Sequence, residues 1–143
     1  MSDNLTLARA RLLDGTYTCV LKSDERLMTS TERGVKPLLD WLDAGVSLSD
    51  FSAADRVVGN GAAFLYVLLG IKELYAHVLS RTALQTLEHY QIRVHFGTLV
   101  DAIQNRQKTG NCPIEEAVSD ERDPASALIK IRTRLAELSK QAN

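Results

Sequence analysis

The chain has 143 residues, the length of one domain, with 45% apolar and 24% charged side chains. That balance excludes a disordered chain, a collagen-like chain and a disulfide scaffold. Lys and Arg total 17 against 18 Asp and Glu, a formal net charge of −1, so no global field favours nucleic acid or an anionic membrane.

In chain order, Leu5, Ala8 and Leu12 repeat at helical spacing before Gly15, which predicts a first helix over Leu5 to Leu13. Thr16 to Lys22 and Arg26 to Thr29, separated by Ser23-Asp24-Glu25, read as a β-hairpin. Val35, Leu38, Leu39 and Leu42 share one helical face, with Pro37 in the first turns and Gly45 as the stop. Val46 to Ala54 reads as a loop. Strand, helix, strand, helix, strand then follow as Asp55 to Gly59, Ala62 to Leu69, Lys72 to Leu79, Thr82 to Tyr90 and Ile92 to Phe96. These are two successive βαβ units with parallel strands. The helix Ala62 to Leu69 is apolar nearly all round, so it is expected at the centre of the molecule, and Thr82 with Gln85 has capping-box spacing at the next helix. Gly97 to Asn111 carries turn signals and one apolar patch at Leu99, Val100 and Ile103. Cys112-Pro113-Ile114-Glu115 predicts a helix start, with Cys112 at the N-cap and Glu115 at the capping-box position. Asp123-Pro124 opens a last helix, residues 124–142, whose stripe Leu128, Ile131, Leu135 and Leu138 is expected to pack on the sheet or on a second subunit.

The N-terminus has no basic start followed by an apolar run, and Ala62 to Leu69 falls far short of the roughly 20 residues that cross a bilayer. A cytoplasmic location is therefore expected, with Cys19 and Cys112 as reduced thiols and no membrane partner. Nucleic acid is not an expected partner either, since aromatics are 6% and the basic residues of the last helix alternate with acids.

The order helix, hairpin, helix, then strand-helix-strand-helix-strand resembles the cytidine-deaminase-like fold. The sequence is similar to the small bacterial and archaeal DUF1893 domain family, assigned to that superfamily. The likeness is carried by TYTCVLKSDERLMTSTERGVKPLLDWL, by DRVVGNGAAFLYVLLGIKELYA and by TGNCPIEEAV, and it runs from about Leu5 to about Pro124. It implies one α/β domain over residues 1–143, a three-layer α-β-α sandwich around a five-stranded mixed sheet. Catalytic deaminases of this fold hold zinc at two helix starts: a His or Cys with a Glu two residues on, and a Pro-Cys-x-x-Cys. Here the matching positions read Ser30-Thr31-Glu32-Arg33-Gly34 and Gly59-Asn60-Gly61-Ala62-Ala63, with no Cys or His in either. The resemblance thus implies the fold without its metal centre. No metal or cofactor and no zinc-dependent deamination are expected, and Glu32 stands where the proton-shuttling Glu would be.

The leading expectation is a non-deaminating domain that binds a small nucleotide- or nucleoside-like ligand. Its site would combine Glu32 and Gly34 from one helix start, Gly59, Asn60 and Gly61 from the other, Ser80 after the next strand, and Asn111 with Cys112 nearby. Helix N-termini at the carboxyl ends of parallel strands suit an anion. Gly59-Asn60-Gly61 could cradle a phosphate or carboxylate, but its more ordinary reading is a tight turn that needs glycine for backbone geometry. Arg106, Lys108 and Thr109 read either as a phosphate clamp or as a solvated loop. Two other classes stay open: a metal-independent enzyme with Cys112 as nucleophile, its thiolate favoured at a helix start, and a structural domain that forms a homodimer through the last helix.

Overall fold

The computed structural model describes residues 1–105, 107 and 110–142, the last by its backbone. Helix α1 (Asp3–Asp14) begins at Ser2, whose hydroxyl accepts the Leu5 N–H, and buries Leu5, Ala8 and Leu12. Arg56 closes its far end: the guanidinium donates to the carbonyls of Leu12 at 2.7 Å, Gly15 at 2.8 Å and Tyr17 at 2.6 Å. These are carbonyls that the helix leaves without internal donors, or lie just beyond them. The hairpin is β1 (Cys19–Lys22) and β2 (Leu27–Ser30), and α2 (Lys36–Asp43) follows it.

Strand β3 (Ser52–Val58) starts three residues before the sequence pattern indicates. Ser52, Ala53 and Ala54 carry no β-branched signal. They become strand because β1 pairs with them on one side and β4 on the other. Next come α3 (Asn60–Leu69), β4 (Glu73–Ser80), α4 (Arg81–His89) and β5 (Arg93–Val100). Strand β5 runs past Gly97, where a turn was expected. A Cβ there would lie 2.8 Å from the His77 carbonyl oxygen, so the glycine marks a close approach of two backbones rather than a break. The five strands take the order β2-β1-β3-β4-β5, with β1 antiparallel to β2 and β3, and β3, β4 and β5 parallel. Helix α5 (Pro113–Ala117) and helix α6 (Pro124–Ala142) complete the chain.

The sheet is covered on both faces. Alternation along the strands sends Val20, Ala54 and Tyr75 towards α1, and Cys19, Leu21, Ala53, Leu74 and Ala76 into a larger core shared with α2 to α6. Helix α3 is the hub of that core, with Phe64, Leu65 and Tyr66 buried, and it ends on Gly70 at φ +84°, a left-handed cap. Helix α6 lies on α3 and α5 rather than on the sheet, burying Ala127 and Ile131, and Arg132 reaches Asp43 at the end of α2 at 2.7 Å. Among the described residues no helix is long and apolar enough to cross a membrane.

Candidate functional site

Both expected helix starts lie at the same end of the sheet. The Arg56 N–H donates to the Thr18 carbonyl and the Thr18 hydroxyl to the Glu32 carbonyl, so the segment before α2 sits beside the carboxyl half of β3. At the other end the Leu48 N–H meets the Leu69 carbonyl, so α2 and α3 also finish together. Among the described residues, however, no hydrogen bond or ion pair joins residues 32–34 to residues 59–61. Glu32 is exposed and paired with Lys36 at 3.4 Å. Gly34 sits at φ +73° with open space where a Cβ would be. Its role is the turn into α2.

The start of α3 does hold a carboxylate, supplied by the chain itself. Gly59, the N-cap, has no side chain to satisfy the first N–H groups of the helix. Glu115 of α5 does so: its Oε1 accepts from the Asn60 N–H at 2.7 Å and its Oε2 from the Gly61 N–H at 2.9 Å. The two glycines make room for this. A Cβ on Gly59 would collide with the Glu115 carboxyl, and one on Gly61 would lie 2.7 Å from Ile114 Cγ2. Glu115 was expected to cap its own helix, and instead it caps a helix more than fifty residues earlier in the chain. The expected phosphate cradle at Gly59-Asn60-Gly61 is therefore a docking point for α5.

Ser80 is fully buried and N-caps α4, its hydroxyl accepting from the Ala83 N–H at 3.1 Å, so Thr82 is not the cap. Asn111 is exposed and bridges to Gln104. Cys112 holds the N-cap position of α5 without a side-chain capping bond, and among the described residues no base hydrogen-bonds its thiol. Arg106, Lys108 and Thr109 lie outside the described residues.

A groove of about 490 Å³ opens beside Asn60. Its walls are the first turns of α3 (Asn60, Phe64), the outer face of α4 (Thr82, Gln85, His89) and residues 119–122. Asn60 is only 8% exposed, and its Oδ1 accepts the Thr86 hydroxyl, which fixes the carboxamide against α4. The 119–122 wall is tied down from both sides. The Tyr90 hydroxyl donates to the Arg122 carbonyl at 3.2 Å, and Glu121 accepts from Lys130 at 2.7 Å and from the N–H groups of Arg122 and Asp123. The Lys130 ammonium beside it, with those backbone donors, holds the Glu121 carboxyl below its usual range. The rings of His89 and Tyr90 meet edge to face, with centroids 4.8 Å apart.

A second polar cluster lies under α3. The Tyr66 hydroxyl donates to Asp55 Oδ2 at 2.6 Å and lies 3.2 Å from Cys19 Sγ, and Cys19 and Asp55 are register partners on β1 and β3. Burial pushes the Asp55 carboxyl up to about 6 and raises the Cys19 thiol and the Tyr66 hydroxyl well above their ordinary values. A thiol held protonated in this way is a poor nucleophile. Asp55 and Tyr66 were not singled out from the sequence. The signal was a lone phenol in the middle of an otherwise apolar helix, since a buried hydroxyl requires a partner.

A family model described as TM1506, a domain of unknown function (DUF1893), matches residues 7–135. The chain belongs to the DUF1893 family. The crystal structure of a DUF1893 family protein (TM1506) from Thermotoga maritima is similar to it, with a TM-score of 0.82 and 21% identity over 96% of this chain and 92% of that one. No curated protein matches the chain. At this identity the likeness extends to the fold.

Proposed function

We propose that this DUF1893 protein is a deaminase-like three-layer domain that binds a small nucleoside-like ligand and does not deaminate. The observation that carries the reading is the groove beside Asn60. It begins beside the first turns of α3 and α4, at the carboxyl end of the parallel strands β3 and β4 where open α/β sheets bind ligands, and runs along α4 to His89 and Tyr90 at that helix's far end. The groups that line it suit a base and a sugar. The carboxamides of Asn60 and Gln85 offer donors and acceptors for a base edge, His89 and Tyr90 offer a ring surface, and Asp120 accepts from hydroxyls.

The residues do not fit a catalytic zinc. The positions that would supply soft ligands are Asn60 and Ala63 at one helix start and Ser30 to Gly34 at the other. Asn60 is committed to Thr86 through its side chain and to Glu115 through its N–H. Among the described residues no base hydrogen-bonds the Cys112 thiol, which favours binding over covalent chemistry. The test is thermal denaturation with a panel of ribonucleosides. A ligand of the folded state raises the midpoint by mass action. The shift is expected to fall or vanish in Gln85→Ala and His89→Ala, both at exposed positions. A midpoint unmoved by every nucleoside would overturn the reading.

A further inference from the structure

We infer that Glu115 makes the groove selective for an uncharged ligand, a nucleoside or free base, over the corresponding nucleotide. This rests on the proposed groove function and narrows it. The two N–H groups at the start of α3 are the ready-made anion position at this end of the sheet, and the Glu115 carboxylate takes both, at 2.7 and 2.9 Å. The fit leaves no room for a second anion, because the backbone of Gly59 approaches the carboxyl so closely that even a methyl group would collide. Asn60, whose N–H is one of the two donors, is also a wall of the groove, so a negative charge sits one residue behind the ligand surface. Asp120 and Glu121 on the opposite wall add two carboxylates. Against these three stand Arg122 and Lys130, the latter already paired with Glu121. A phosphate brought into this groove meets like charge at short range in a partly desolvated setting, and the repulsion acts against nucleotides alone. Glu115 touches no ligand in this scheme. It acts through the Asn60 backbone and its own field.

The experiment is calorimetric titration of the full chain with ribonucleosides and with the matching 5′-monophosphates, at low and at high salt. The expected result is that a nucleoside binds and its monophosphate binds about tenfold more weakly or worse, with the gap narrowing as salt screens the repulsion. In Glu115→Gln, which removes one of the three charges, the gap is expected to narrow at low salt. If that variant does not fold, the salt dependence of the gap in the unaltered chain carries the test. A monophosphate that binds as tightly as its nucleoside overturns the inference while the groove reading stands. A gap that persists unchanged in folded Glu115→Gln overturns the role of Glu115. Absence of binding by every probe overturns the groove reading, and the inference falls with it.

Discussion

Glu115 divides one carboxylate between two backbone N–H groups of another helix, and that division sets what its loss would cost. Removing it leaves both donors partly buried and unpaired, so Glu115→Ala is expected to destabilise the chain by about 1–3 kcal/mol in chemical denaturation. Gly59→Ala is expected to cost a similar amount for the opposite reason, since its new methyl group drives the carboxyl out of place. The two costs are not independent. Once Glu115 is truncated the methyl group has nothing to strike, so the double variant should be much less destabilised than the sum of the singles. Additive losses would mean that the glycine serves something other than the docking of α5. Asp55 sets a second expectation, in pH. Its pKa rises from 3.8 to about 6 on folding because burial disfavours the charged form. The folded state therefore binds the proton more tightly than the unfolded chain does. Its contribution to stability is complete below about pH 4 and is lost as pH climbs through about 6. Relative to Asp55→Asn, which cannot ionise, the unaltered chain should lose stability across that interval. Denaturation midpoints of the two proteins that run parallel from pH 4 to 7 would contradict this.

The register of a single cap decides how α4 begins. Ser80 and Thr82 are both hydroxyl residues two positions apart, and spacing alone prefers Thr82 because Gln85 follows it as in a capping box. The backbone prefers Ser80, which is extended at φ −81° and ψ 155° and buried, whereas Thr82 is already helical. Ser80→Ala is expected to cost about 1–2 kcal/mol and Thr82→Ala little, measured by denaturant midpoint. The reverse order would restore the cap to Thr82. The same contrast explains which elements were legible in the sequence. Gly45, Gly70 and Pro113 act within one turn of themselves, so the ends of α2 and α3 and the start of α5 could be read directly. Ser52 to Ala54 are strand only because two neighbours pair with them, and Gly97 stays in β5 only because His77 lies beside it. The candidate site divides in the same way. Asn60 is visible as a polar residue opening an apolar helix. Its partners Thr86 and Glu115 lie 26 and 55 residues away and become neighbours only once the parallel sheet has formed.

At the scale of the whole molecule, α6 is what closes the structure. Helix α3 carries apolar residues on nearly every side, and a helix of that kind is stable only when most of its sides are covered. The sheet, α2, α4 and α5 cover part of it, and a further side is taken by Ala127 and Ile131 of α6, both with no exposed surface, which leaves Leu68 as the exposed apolar residue of α3. The approach is close enough that a Cβ on Gly61 would lie 3.6 Å from Ile131 Cδ1, so α6, α5 and the start of α3 share one packed junction. The same helix also presents Ile129, 66% exposed, to solvent. Two isoleucines two positions apart thus separate the roles open to α6. If the helix serves this chain's own core, Ile131→Ala opens a cavity and costs about 2–5 kcal/mol, while Ile129→Ala is close to neutral. If it serves chiefly to join two copies through its exposed side, Ile129→Ala changes the mass in solution and Ile131→Ala does not. The packing favours the first outcome. Sizing by light scattering alongside urea denaturation of both variants separates the two. A chain that keeps its full stability with alanine at 131 would mean that the covering of α3 by α6 contributes nothing to the fold.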